Sequence, residues 1–170
     1  MNAVEPIVFP LEPAGPKCVG IGEYAGVMVR LVEAIKIRGR SRLLSFVARE
    51  MVAPILDRHF GDRPLCPVPA SGRGRRLRGF DQMHYLARYL GPKATPALKR
   101  RTGREQKRLS KEDRLENARR SLTLRAGHTV SGSIIIDDVY TTGATLRRAA
   151  HMLHEAGTPI AGALVLAIRR

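Results

Sequence analysis

Two rhythms of apolar residues alternate along the chain. From Tyr24 to Arg38, Val27, Leu31, Val32 and Ile35 fall at helical spacing, and Gly39 follows as a candidate C-cap. Ser41 opens a second helical stretch carrying Leu43, Leu44, Val47, Val52, Ile55 and Leu56, in which Pro54 predicts a kink or break. Leu65 to Pro69 (LCPVP) is a short apolar run read as a strand; a Gly/Arg-rich loop follows, then a helical stretch from about Asp81 to Leu90. Residues 95–120 are dominated by charge without a clear period, and Ser121 to Leu124 forms a short strand candidate. Ser133 to Asp137 is β-branched and apolar and ends in two acids. Thr145 to Ala156 predicts a helix with Leu146, Ala149, Ala150 and Leu153 inward and Gly157 beyond its end. Ile160 to Ile168 closes the pattern as an apolar strand, with Gly162 as its weak point. Residues 1–20 hold four prolines and no amphipathic period, and are expected as an extended N-terminal arm ahead of a single domain over 21–170. Strand, helix and strand in this order predict an α/β fold with a mostly parallel central sheet, flanking helices and a helical N-terminal segment.

Charge changes the picture more than composition does. The 170 residues carry 30 Lys+Arg against 15 Asp+Glu, a net +15, which calls for a polyanionic partner. The excess is local: residues 73–120 hold 16 Lys/Arg and 5 Asp/Glu, a net +11. Four Phe, four Tyr and no Trp argue against a face built from stacking platforms for bases. Two cysteines, Cys18 and Cys66, exclude a disulfide framework and a self-contained zinc site. Cys66 lies on an apolar strand and reads as a core residue rather than a nucleophile, and His151, His154 and Glu155 as a solvated helix face rather than metal ligands. Neither a secretory signal nor an apolar run of about 20 residues is visible, so a soluble cytoplasmic protein with no membrane span is expected.

The chemistry concentrates in SIIIDDVYTTGATLRRAA, residues 133–150. A buried parallel strand delivers Asp137 and Asp138 to its carboxyl end, where open α/β sheets bind ligands. The turn Thr141-Thr142-Gly143-Ala144-Thr145 opens a helix, whose free N–H groups and dipole favour an anion. Two carboxylates beside a phosphate cradle repel the phosphate unless they face hydroxyls or a divalent ion. The inferred ligand is therefore a phosphorylated sugar with free hydroxyls, accompanied by Mg²⁺.

This run resembles the thirteen-residue signature of the type I phosphoribosyltransferases, which bind 5-phosphoribosyl-1-diphosphate (PRPP). The resemblance implies that Asp137 and Asp138 hold the ribose hydroxyls as the catalytic pair, and that Thr141, Thr142, Gly143, Ala144 and Thr145 hold the 5′-phosphate. Ser133 stands where a fourth apolar residue is usual. Two further blocks resemble the ComF family. PVPASGRGRRLRGFDQMHYLAR (67–88) matches its PVP strand end, arginine-rich turn and RGFNQ-like helix start, with Asp81 in place of the usual Asn. RRTGREQKRLSKEDRLENA (100–118) matches through Arg100 or Arg101, Thr102, Gln106, Leu109, Ser110, Arg114 and Asn117, with one extra residue between Thr102 and Gln106. Tyr24, Lys36 and Gly39 fit the pattern of the family's first helix. By this resemblance Ala70, Ser71, Gly72 and Arg73 bind the pyrophosphate, and 100–117 forms a mobile lid carrying Arg101, Gln106 and Arg114. Many ComF-like proteins begin with a four-cysteine zinc ribbon; here only Cys18 lies before the first helix, so no ribbon is expected. The implied activity is phosphoribosyl transfer from PRPP to an unidentified acceptor with Mg²⁺ bound through PRPP. The competing class is a non-catalytic competence or regulatory protein that keeps the PRPP site and binds single-stranded DNA or RNA through residues 73–120. A homodimer is the further partner expected.

Overall fold

In a computed structural model the residues described are 5–37, 41–71, 75–76, 79–91, 94–100, 122–125, 127–128 and 130–169. In chain order they form β1 (Ile7–Pro10), β2 (Lys17–Glu23), α1 (Gly26–Ile35), α2 (Ser41–Phe46), a π-helical segment (Val47–Val52), α3 (Ala53–His59), β3 (Leu65–Pro67), α4 (Gln82–Leu90), β4 (Leu98–Arg100), β5 (Leu122–Leu124), β6 (Ile134–Tyr140), α5 (Ala144–Glu155) and β7 (Gly162–Ile168). Five strands make one sheet in the order β1-β2-β7-β6-β3, while β4 and β5 pair separately. Only β1 runs antiparallel to its neighbour in the large sheet; β2 with β7, β7 with β6, and β6 with β3 are parallel. This is the α/β architecture the sequence predicts, of the phosphoribosyltransferase type.

Why the sheet sits between two layers follows from the two-residue period of its strands. Ile134, Ile136, Leu164 and Leu166 face one way, toward Val32 and Ile35 of α1, Val47 and Val52 of the π segment, and Met83 and Leu86 of α4. Ile135, Ala163 and Val165 face the other way, toward Leu146, Ala149 and Leu153 of α5 and toward Leu98 and Leu122 of the β4–β5 pair. Every residue of β7 is buried, as expected of a strand covered on both faces.

Several boundaries differ from the sequence reading. The stretch expected as an extended arm is built into the sheet: Ile7 pairs with Gly20 and Pro10 with Lys17, and Cys18 and Val19 are fully buried. Proline is tolerated there because β1 is an edge strand, where one side of the ladder needs no N–H. The helix through Pro54 does not break. It widens into the π segment just before the proline, with the Ala53 N–H donating to the Ala48 carbonyl, which eases the crowding of a ring that has no N–H to donate. The charged stretch after residue 95 contributes β4, paired with β5. β6 continues through the acids to Tyr140 rather than ending at them. Among the described residues no helix is long and apolar enough to cross a membrane.

Candidate active site at the carboxyl edge of β6 and β3

β3 and β6 are neighbours, yet the chain leaves them toward opposite faces: α4 packs with α1–α3, and α5 packs on the other side. Such a divergence opens a crevice at the carboxyl ends of the two strands, where α/β sheets take their ligands. The Val68 N–H donates to the Ile136 carbonyl at 2.9 Å, so β3 and β6 stay joined up to the floor of this crevice. The next residue along β6 is Asp137.

Asp137 and Asp138 sit half-buried on opposite faces of β6. Asp137 Oδ1 accepts the Asp138 N–H at 2.9 Å, and Asp138 Oδ1 accepts the Val139 N–H at 2.8 Å. Asp138 Oδ2 accepts from Gln82 Nε2 at 3.3 Å and lies 3.6 Å from Lys36 Nζ. Lys36 also pairs with Glu33 at 3.3 Å, and Glu33 accepts from the Tyr24 hydroxyl at 3.2 Å. The two acids therefore differ. Burial, reinforced by the neighbouring Asp138 charge, pushes the Asp137 carboxyl well above the usual carboxylate range, against the opposing pull of the Asp138 amide and Arg100. Asp138 is the acid in contact with a cation.

Beyond β6 the turn Thr141–Gly143 leads into α5. Gly143 adopts φ 71°, ψ −1°, and α5 starts with no side-chain hydrogen bond from its cap residue. The left-handed backbone at Gly143 disfavours any side chain, and a Cβ there would also push aside the ends of Tyr140, at 2.6 Å, and Arg147, at 2.7 Å. Arg147 Nη2 donates to the Thr142 carbonyl at 2.7 Å and braces the turn. Thr141, Thr142, Gly143, Ala144 and Thr145 all line one small pocket of about 50 Å³ together with Asp137. The structure thus brings the expected phosphate turn together with Asp137, while Asp138 lies on the other face of β6 and outside this pocket.

The opposite wall comes from β3 and α4. Asp81 caps α4, its Oδ1 accepting the His84 N–H at 3.3 Å, while its Oδ2 accepts the Ala70 N–H at 2.8 Å. One carboxylate thus ties the helix to the loop expected to hold pyrophosphate, and a pyrophosphate oxygen seeking the Ala70 amide meets a negative charge already there. Ser71 adjoins, its carbonyl accepting from the Arg75 N–H at 2.8 Å. Gly72 and Arg73, like Arg101, Gln106 and Arg114 that were expected in a lid, lie outside the described residues.

Three contributors go beyond the site residues expected from the sequence. Arg100, at the end of β4, donates from Nε to the Pro69 carbonyl at 2.8 Å, and its guanidinium lies in the field of Asp137, Asp81 and Asp138. Burial lowers its pKa without discharging it. The signal was the R-x-T match, which left Arg100 and Arg101 as alternatives. Lys36 was legible as a motif residue but not as the partner of Asp138, and Gln82 only as part of RGFDQ. No pattern in the sequence links positions 36, 82 and 138; the sheet does.

An acidic pair and a Thr/Gly turn, placed at the switch point of a mostly parallel sheet, are the hallmark of type I phosphoribosyltransferase-like domains. No protein-family model matches the chain. It is 31% identical over 138 residues to the competence protein ComFC of Bacillus subtilis (strain 168), a match covering 79% of this chain and 56% of that protein. It is 29% identical over 116 residues to the ComFC of Streptococcus pneumoniae (strain ATCC BAA-255 / R6), covering 66% of this chain and 52% of that protein. The chain is a distant homologue of these ComFC competence proteins. Its matched part spans about half the length of either relative.

Proposed function

We propose that the chain binds PRPP in the crevice between β6 and β3 and transfers its phosphoribosyl group to an acceptor, releasing pyrophosphate. The observation carrying this reading is the single small pocket that joins Asp137 to the whole Thr141–Thr145 turn, with Gly143 in the left-handed conformation. The turn and the α5 N-terminus receive the 5′-phosphate, and the acids receive ribose hydroxyls. Arg100 supplies positive charge between the acids and the β3 loop, where charge develops on the leaving pyrophosphate. Among the described residues no three His, Cys, Asp or Glu side chains converge as a metal cage. The hard carboxylate oxygens of Asp137 and Asp138 would suit Mg²⁺ carried on ligand oxygens. Bound this way, the ion neutralises phosphate charge. The chain's own residues orient the sugar and hold the anomeric carbon against the acceptor, so the rate advantage is positional and electrostatic.

The test is calorimetric titration with PRPP and Mg²⁺. Replacing Asp137 and Asp138 together by Asn removes hydrogen bonds to charged groups, each worth roughly 1.5–3 kcal/mol. Affinity for PRPP is expected to fall at least about tenfold, by the rule that 1.4 kcal/mol is a factor of ten. A double variant that binds as tightly as the parent overturns the ribose assignment. Release of pyrophosphate over a panel of acceptors then separates a transferase from a binding protein.

A second reading is favoured by one feature. His84, Arg88 and Pro96 line an open groove of about 580 Å³ beside α4, and Arg75 and Arg125 line the adjoining pocket of about 250 Å³. This cationic surface suits a single-stranded nucleic acid, as a competence protein retaining its PRPP site would need.

A further inference from the structure

Gln82, the first residue of α4, is 3% exposed and one of two buried polar residues among those described. Its Nε2 donates to Asp138 Oδ2 at 3.3 Å, but its Oε1 is enclosed and has no hydrogen-bond partner among the described residues. The amide cannot be turned over to cure this, because Oε1 would then face a carboxylate oxygen. Buried acceptors are almost always satisfied, so an acceptor left unpaired by the described residues calls for a donor beyond them.

The surroundings indicate which donor. Asp138 Oδ1 is taken by the Val139 N–H, and Oδ2 by Gln82, with Lys36 close by at 3.6 Å. The Asp138 side chain is 21% exposed and that of Lys36 23%, so the cluster reaches solvent on the side of these two residues. The Asp138 carboxylate and the free amide oxygen of Gln82 belong to two hydrogen-bonded side chains and are both acceptors. A pair of neighbouring hydroxyls can donate to both at once; a fully ionised phosphate or pyrophosphate has no hydrogen to give to either.

We propose that Gln82 belongs to the sugar subsite, with Nε2 orienting the Asp138 carboxylate and Oε1 accepting from a hydroxyl of the bound ribose. The inference rests on the phosphoribosyl reading above and adds to it a ligand contact from the α4 side of the crevice. It also accounts for a buried acceptor left unpaired among the described residues: the site is shaped for the ligand at the expense of the fold.

The experiment compares the parent protein with Gln82→Met, which keeps length and approximate volume while removing both polar atoms. Ribose 5-phosphate, PRPP and inorganic pyrophosphate are each titrated with Mg²⁺, and the melting temperature is recorded. Expected for Gln82→Met are at least about tenfold weaker binding of ribose 5-phosphate and PRPP, unchanged binding of pyrophosphate, and a melting temperature that holds or rises. Sugar-phosphate binding equal to the parent's overturns the inference and leaves the phosphoribosyl reading standing. A fall in melting temperature with all three ligands weakened alike assigns Gln82 a structural role and also overturns it. A parent that binds neither ribose 5-phosphate nor PRPP removes the phosphoribosyl reading, and this inference with it. Should the Met variant fail to fold, Gln82→Leu is read by the same criteria.

Discussion

Asp137 and Asp138 are adjacent and chemically identical, yet the strand that carries them gives them different roles. Alternation along β6 turns Asp138 toward Gln82 and Lys36 and leaves Asp137, half-buried like its neighbour, beside a like charge. A carboxyl whose folded pKa lies above its unfolded value keeps its proton in the native state after the unfolded chain has lost it. Stability then falls as pH rises from the unfolded pKa, near 4, toward the folded one. Asp137→Asn removes that penalty while keeping an Oδ1 to accept the Asp138 N–H. At pH 7 the variant is expected to gain on the order of 1 kcal/mol, about 2–4 °C in a chain of this size. Near pH 4 the gain should vanish. Thermal melts across that range check the sign: a variant less stable than the parent at pH 7 contradicts the buried-acid account. The cysteines show the opposite use of burial. Cys18 and Cys66 thiols are pushed up to about 12 by desolvation, which keeps them core residues rather than nucleophiles.

At the scale of elements, the misread positions are those where a local rule met a neighbour distant in sequence. Gly162 reads as a weak point in an apolar strand, because glycine has no side chain to bury. In the fold it is the opening residue of β7, and a Cβ there would fall 2.3 Å from the Phe60 ring and 2.8 Å from the Lys17 carbonyl. The Lys17 ammonium, in turn, sits 4.8 Å above the Phe60 ring. Gly162→Ala is therefore expected to destabilise by about 1–3 kcal/mol, the usual penalty for overpacking. Gly20→Ala should cost less, because the Cβ there meets the flexible end of Ile168 rather than backbone. Urea titration of both variants checks the order, and a milder Gly162 variant would mean that the β7 entrance relaxes freely. His151 and Glu155 behave as the sequence suggests: an exposed pair at 3.2 Å one helical turn apart, outside the site.

At the scale of the molecule the dominant property is charge. The net +15 over 170 residues exceeds what one pyrophosphate needs, and described residues of the basic region, Arg75 and Arg88, border one continuous pair of pockets with His84. If single-stranded DNA lies in that groove, phosphate contacts carry the affinity. The logarithm of the binding constant is then expected to fall against log salt with a slope of about −0.7 per phosphate neutralised, or roughly −3.5 for five contacts. Gel shifts across a salt series, with and without PRPP, measure it. Binding that is salt-independent, or absent at low salt, removes the nucleic-acid reading.

The sequence by itself determined the α/β class, the acid pair, the threonine turn and its glycine, because each of these depends on short-range spacing: a β-branched run, two acids, and a turn that opens a helix. It also fixed the net charge of +15, which needs no structure. What only the tertiary structure decided involves partners far apart in the chain. The arm became β1 and β2 because the parallel edge of β7 offers them a ladder, which no periodicity among prolines and glycines reveals. Asp81 became a tether for Ala70, Arg100 a neighbour of Asp137, and Gln82 a partner of Asp138 across 56 positions. Local spacing can put two carboxylates at the end of a strand; only packing decides which of them meets Lys36 and which amide waits beside it.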